Sequence, residues 1–376
     1  METLGLYIHV PFCLKKCPYC DFYSVHLNSD LLNRYLESLK NELINWAKKL
    51  KSNEQDSKII DTIYFGGGTP NLLGHENIAK VLDLIRENFN VRNEKNLEVT
   101  LEVNPTKFDE IDFEALRKIG VNRLSIGMQS SDDEELKLLG RMHSKKAVSY
   151  TVKNAQKVGF DNISLDLMLC TPKQTKESLK RTIDFCESLK VQHISAYLLK
   201  IERGTNYYLN RDKLDLKNDD MQSEFYLFAC NELEKRGFIQ YEISNFSKPG
   251  FQSKHNLKYW NVENYLGIGP SAHSFLDGKR FFYERDLKKF IEDPKTIEDG
   301  IGGDIEEYVM LRLRLNEGLK NSNFYNRFKI NVPASYIEKA RVYEKYGLTK
   351  VSDNGFHLTK KGFLVSNELI ANIYNF

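Results

Sequence analysis

Over its first 200 residues this chain repeats one pattern: a short apolar, β-branched run followed by a longer helical stretch. Strand-like runs fall at 4–10, 60–65, 97–103, 122–128, 162–169 and 193–199. Helical stretches at 30–51, 75–89, 108–118, 132–139, 145–158 and 175–189 lie between them. Such alternation aligns the strands in a parallel sheet with helices packed outside. Six units fall short of a closed eight-stranded barrel. The expected fold is therefore α/β, an open, partial (β/α)6 barrel. Ligands in such folds bind at the C-terminal ends of the strands.

Two motifs fall at those ends. Cys13, Cys17 and Cys20 follow the first strand in the stretch YIHVPFCLKKCPYCDF, spaced C-x3-C-x2-C. Three thiols so close together suit a metal centre better than a disulfide framework. A total of 6 cysteines in 376 residues is also not a disulfide-rich count. A [4Fe-4S] cluster normally takes four cysteines, so three would leave one iron with an open position. Zinc is the alternative. It wants a fourth ligand, no second C-x2-C exists, and His9 or His26 would have to serve from an unusual spacing. The second motif, Gly66-Gly67-Gly68-Thr69-Pro70, ends the second strand, where glycines let backbone approach a ligand closely and expose N–H groups. Cys170, Cys186 and Cys230 sit in apolar surroundings and read as ordinary buried thiols.

Glu102, Gln129, Arg141 and Asp166 recur near later strand ends. An acid within an apolar strand is costly to bury unless it is paired, so Glu102 and Asp166 must each meet a partner. A structural salt bridge, with Arg123 or Arg141, is one explanation; a bound ligand is the other.

Beyond residue 203 the pattern is less regular, with a helix expected at about 219–236 and turn signals at Lys248-Pro249-Gly250, Gly267-Ile268-Gly269-Pro270 and Asp277-Gly278. From about 303 it becomes helical, then ends in two short strands around Asn354-Gly355, flanked by helices. That combination reads as a winged-helix-like module. Such modules often bind DNA. Here 54 basic residues against 52 acidic ones leave a net charge of +2, which gives no nucleic-acid footprint and favours a structural or docking role. The division expected is 1–205 for the partial barrel, 206–302 for an α+β extension and 303–376 for the C-terminal module. No apolar window approaches the length of a membrane span, and no signal-peptide pattern opens the sequence. A cytoplasmic, reducing setting is expected.

The strings YIHVPFCLKKCPYCDF, YFGGGTPNLL, LEVNP, SIGMQS, LGRMH, SLDLM, ERGT, HNLKYW and YLGIGPSAHSF together resemble the radical S-adenosylmethionine (radical SAM) proteins, in particular their haem-chaperone branch. The resemblance covers the whole chain. It implies that Cys13, Cys17 and Cys20 hold three irons of a [4Fe-4S] cluster and that SAM chelates the fourth. It implies SAM contacts from Tyr7, Tyr19, Gly67, Gly68, Thr69, Glu102, Gln129, Arg141 and Asp166. Of these, Tyr19 would pack near the adenine, and Glu102 and Asp166 would grip the ribose hydroxyls and ammonium. His255 opens the HNxxYW string and is a candidate haem-iron ligand. Two departures separate the chain from the related oxygen-independent coproporphyrinogen III dehydrogenases. Those carry a further cysteine where Phe22 stands, and an N-terminal extension for which Cys13 lies too near the start. The branch implies haem as cargo, passed to respiratory haem proteins at the membrane. Peripheral membrane contact, a flavodoxin- or ferredoxin-type electron donor and a homodimer are the accompanying expectations, with no nucleic-acid partner. Oxidative decarboxylation of coproporphyrinogen III is the alternative activity, and a radical SAM enzyme acting on another substrate is a third.

Overall fold

The computed structural model describes residues 2–51, 58–105 and 111–374. Six strands, β1 (Thr3–Val10), β2 (Ile59–Gly67), β3 (Glu98–Val103), β4 (Arg123–Gln129), β5 (Ile163–Leu169) and β6 (His193–Leu198), pair in parallel in chain order. Each strand has two unlike faces, because successive side chains point to opposite sides. Leu6 and Ile8 of β1, Ile63 and Phe65 of β2, Val99 and Leu101 of β3, Leu124 and Ile126 of β4 and Ile163 and Leu165 of β5 are buried apolar residues. The alternate positions are polar: Tyr7 pairs with Tyr64, Tyr64 with Thr100, Thr100 with Arg123, and Ser125 with Ser164. The apolar face packs on the helices; the polar face is left for the inside of the open barrel.

The outer helices are α1 (Ser29–Lys51), α2 (Gly74–Asn88), α3 (Phe113–Lys118), α4 (Asp133–Leu138), α5 (Lys145–Lys157) and α6 (Lys176–Ser188). The starts of α3 to α6 are written in side chains that accept orphan N–H groups. Asp112 accepts from Ala115, Asp132 from Glu134 and Glu135, and Ser144 from Ala147. Thr175 and Ser178 form a reciprocal capping box. The helix expected at 108–118 begins instead at Phe113, behind the Asp112 cap; its residues 108–110 lie outside the described residues.

Residues 206–302 hold more strand than the sequence pattern shows. After α7 (Asp219–Lys235), β7 (Ile239–Gln240) and β8 (Asn245–Ser247) add antiparallel strands beside β6. After α8 (Lys254–Asn261), β9 (Tyr265–Ile268) pairs in parallel with β1 on the opposite side. The meander continues through β10 (His273–Leu276), β11 (Lys279–Tyr283) and β12 (Thr296–Ile301), making one open 12-stranded sheet. These strands escape a periodicity reading because most are only a few residues long. β12 is exposed at every position and has no apolar face to reveal it. The Asp277-Gly278 turn signal is realised: both residues have positive φ, 51° and 78°, in the two-residue loop joining β10 to β11.

The C-terminal part combines helices with a three-stranded sheet of β13 (Leu319–Lys320), β14 (Thr349–Ser352) and β15 (Gly355–Leu358), the winged-helix-like arrangement expected. The hairpin turn sits one residue earlier than Asn354-Gly355: Ser352 pairs with Gly355, so Asp353 and Asn354 form the loop.

Candidate functional site

The cysteine loop is folded on its own backbone. Phe12-Cys13 pairs in parallel with Val25-His26, the Leu27 N–H bonds the Cys13 carbonyl at 3.1 Å, and the Cys20 N–H bonds the Cys17 carbonyl at 3.1 Å. All three thiols are free and partly exposed. The glycine motif locks against this loop. Gly68 donates to the Val10 carbonyl at 2.8 Å and Thr69 to the Phe12 carbonyl at 2.7 Å. A Cβ on Gly68 would lie 2.5 Å from the Phe12 oxygen and 2.9 Å from that of Val10, so only glycine permits the approach.

A line of side-chain hydrogen bonds links two of the thiols. The Thr69 hydroxyl donates to Cys13 Sγ at 3.5 Å and accepts from Asn104 Nδ2 at 2.8 Å. Asn104 Oδ1 accepts from Arg141 Nη2 at 2.6 Å, and Arg141 Nη1 reaches Cys17 Sγ at 3.7 Å. Arg141 is further tied to the Gly127 carbonyl at 2.7 Å. Asn104 carries the centre of this line and was not singled out in the sequence: a neutral amide before Pro105 has no chemistry to flag it, and only the fold places it between Thr69 and Arg141. Burial raises the Cys20 thiol above its ordinary value.

The histidines weighed as zinc ligands are engaged elsewhere. His26 Nδ1 donates to the Leu14 carbonyl at 3.0 Å. His9 bonds the Tyr7 hydroxyl at 3.0 Å and the Tyr23 carbonyl at 3.1 Å. Among the described residues no three His, Cys, Asp or Glu side chains converge to hold a single ion. Cysteines that each bind a different iron of one cluster need no such convergence.

Tyr19 lies beneath Tyr207, ring edge to face with centroids 6.1 Å apart, and burial raises its hydroxyl far above the usual phenol value. The Tyr207 N–H holds the Pro18 carbonyl at 2.9 Å, so the segment after the ERGT string clasps the cysteine loop. Gln129 ends β4 at φ 68°, at an irregularity in the β4–β5 register, and its amide makes no hydrogen bond among the described residues. A left-handed non-glycine residue is a strained conformation that concentrates at functional sites.

The two strand acids share the polar face. Glu102 accepts from the Tyr64 hydroxyl at 2.9 Å and from the Gly67 N–H at 3.1 Å. Asp166 accepts from Ser125 Oγ at 3.1 Å. Neither carboxylate has an ion-pair partner among the described residues. Arg123 is fully buried and near enough to pull both acids down, but its Nε and Nη1 stay without hydrogen-bond partners. The structural salt bridge considered from the sequence is therefore not formed. Burial and the neighbouring Asp166 push Glu102 up to about 7, and burial pushes Asp166 up to about 6. Two acids with incomplete counter-charge, beside exposed backbone and hydroxyl donors, suit a ligand that carries both positive charge and hydroxyl groups.

These raised values set a sign for pH dependence. At low pH both states are protonated and nothing is lost. As pH rises past the ordinary carboxyl values of 3.8 and 4.5, the unfolded chain releases protons that the folded chain retains. The stability linked to these acids is therefore lost as pH rises through about 6 and about 7. Glu102→Gln is expected to flatten that fall in the ligand-free protein, raising the urea midpoint over wild type at pH 8 but not at pH 4. Equal midpoint differences at both pH values would contradict the assignment.

Residues 7–186 match the radical SAM superfamily and residues 304–365 match the HemN C-terminal domain. The protein named heme chaperone HemW from Bacillus subtilis is 34% identical over 375 residues, 97% of each chain. The chain belongs to the HemW family. The family's heme chaperone HemW of Haemophilus influenzae is 34% identical, over 98% of this chain and 97% of that one. The radical S-adenosyl methionine domain-containing protein 1, mitochondrial, of Danio rerio is 31% identical, over 98% of this chain and 86% of that one. Among solved structures, coproporphyrinogen III oxidase (HemN) of Escherichia coli superposes with a TM-score of 0.79 at 22% identity, covering 99% of this chain and 90% of that one. That likeness is one of fold. Membership of the radical SAM superfamily implies a [4Fe-4S] cluster and SAM. No helix among the described residues is long and apolar enough to cross a membrane.

In this HemW-family chain the HNxxYW string falls on α8, with His255 completely buried. His255 Nδ1 bonds Thr62 Oγ1 at 2.8 Å and Nε2 bonds the Tyr259 hydroxyl at 2.8 Å. Its backbone N–H donates to Glu98 at 3.0 Å, and burial lowers its ring to about 3. Both ring nitrogens are thus in use, and an iron reaches either only by displacing a hydrogen bond inside the core.

Proposed function

We propose that this chain is a haem carrier that keeps a radical SAM centre and passes haem to respiratory haem proteins. The supporting observation is full-length similarity, at 34% identity, to a protein named heme chaperone HemW. Phe22 points the same way, since the dehydrogenase pattern expected from the sequence has a cysteine there. In this reading Cys13, Cys17 and Cys20 hold three irons of the cluster, and Arg141 balances the thiolate at Cys17. Gly67, Gly68 and Thr69 present backbone and hydroxyl groups to SAM, while Glu102 and Asp166 take its hydroxyls and ammonium. Tyr7, Tyr19 and Gln129 bound the same space. Bound together, the cluster and SAM supply one-electron chemistry, with a flavodoxin- or ferredoxin-type protein as donor. The units 1–205, 206–302 and 303–376 would divide the work between cofactor, cargo and docking. Membrane contact would be peripheral and the working unit a homodimer.

A paired assay tests the proposal. Anaerobically reconstituted protein is mixed with haem and, separately, with coproporphyrinogen III, SAM and a reductant. Stoichiometric haem uptake without conversion of the porphyrinogen is expected. Conversion to protoporphyrinogen IX would sink the carrier reading.

A further inference from the structure

A cavity of about 360 Å³ opens beside the cysteine loop, between that loop and strands β9 and β10. Its size lies within the range of pockets for small organic ligands, on the order of 300–1,000 Å³. The walls are aromatic: Phe22, Tyr23, Tyr259 and Tyr265. Phe22 is 69% exposed, a large apolar ring left in solvent next to the last cysteine, with no packing role to account for it. A flat apolar ligand would cover it.

His9, Asp21, Ser271, His273 and Arg285 add polar side chains to the lining. His273, from the YLGIGPSAHSF string, is exposed, and neither ring nitrogen makes a hydrogen bond among the described residues. Its ring is stacked on Phe282, centroids 5.1 Å apart and 25° between planes, so its direction is fixed without using a nitrogen. Two residues earlier Ser271 lines the same cavity at φ 71°, its N–H shared between the Tyr283 and Glu284 carbonyls at 3.2 and 3.0 Å. This strained turn aims the start of β10. Arg285 lines the same cavity and grips Asp21, the residue after Cys20, with Nη2–Oδ1 at 3.1 Å. Only its Nη groups are occupied; its Nε–H has no partner among the described residues and the side chain is half exposed.

We propose that this cavity is the cargo site, taking an iron porphyrin with His273 as the iron ligand and Arg285 as the anchor for a propionate carboxylate. The chemistry matches part by part. The aromatic walls suit the macrocycle, an unprotonated imidazole nitrogen suits the iron, and a planar guanidinium suits a carboxylate. The contrast with His255 is direct: one histidine has both nitrogens committed inside the core, the other has both free at a cavity. Tyr7 borders both this cavity and the polar face that holds Glu102, so the cargo would lie next to the radical SAM centre.

The inference rests on the haem-carrier reading, and the test separates the two. Full-length reconstituted protein is titrated with haem and with iron-free protoporphyrin IX, as wild type, His273→Ala and Arg285→Ala. Both residues are at the surface of the cavity, and circular dichroism with cluster iron content confirms that the variants fold. His273→Ala is expected to shift the Soret band and weaken haem binding about tenfold, the scale for losing a group that supports a metal, while leaving protoporphyrin IX binding unchanged. Arg285→Ala is expected to weaken both ligands alike, by about threefold for a partly exposed ion pair. A His273→Ala protein with wild-type Soret band and affinity overturns the site while leaving the carrier reading standing. Failure of the wild type to bind haem overturns the carrier reading itself.

Discussion

Cys17→Ala protein, reconstituted anaerobically with iron and sulfide, is expected to lose the broad iron–sulfur absorbance and nearly all bound iron and sulfide. The three thiols sit on one short loop whose backbone is fixed by pairing of Phe12-Cys13 with Val25-His26. Among the described residues nothing nearby can replace the missing sulfur. His9 and His26 are bonded to backbone carbonyls, and Cys170, Cys186 and Cys230 are buried away from solvent. The variant should still fold, because Cys17 is only partly buried and its Sγ makes only weak contacts, to Arg141 and Tyr19. A folded Cys17→Ala protein with full iron and sulfide content would show that these cysteines are not the ligands.

Gly68→Ala is expected to cost about 1–3 kcal/mol of stability, the scale of overpacking against atoms that cannot move. The added Cβ meets two backbone carbonyls, of Val10 and Phe12, rather than the end of a flexible side chain. Relief would require the end of β1 and the cysteine loop to part from the end of β2. The same displacement should impair cluster assembly, so the urea midpoint and the iron content fall together. A midpoint equal to wild type would mean that the close approach between these two strand ends is not needed.

The six parallel strands were legible because each carries a strong apolar alternation and each is followed by a helical stretch. Cys13, Cys17 and Cys20 were legible for a different reason: three like side chains in one short loop are rare without a shared task. The strands of residues 239–301 were not, since segments such as Ile239–Gln240 and Asn245–Ser247 are too short to show any period. Thr296–Ile301 belongs to the sheet through backbone pairing alone. Pairing across long sequence distance also hid the state of the acids. Glu102 and Asp166 read from the sequence as acids in need of a partner, and only the fold shows that Arg123 lies close without bonding to either. His255 drew attention through its motif, while His273, unmarked except within a longer string, lines the cavity with neither ring nitrogen hydrogen-bonded among the described residues.

The bonds running from Cys13 through Thr69, Asn104 and Arg141 to Cys17 also bear on electron affinity. A hydroxyl and a guanidinium are already aimed at two sulfurs, and hydrogen bonds and positive charge at cluster thiolates raise a reduction potential. Because Asn104 is anchored at the end of β3, and Arg141 to the backbone of β4 through Gly127, these dipoles would stay fixed beside a cluster held by the three cysteines, whatever its charge. The sheet would thereby set the redox poise of a cluster held by Cys13, Cys17 and Cys20.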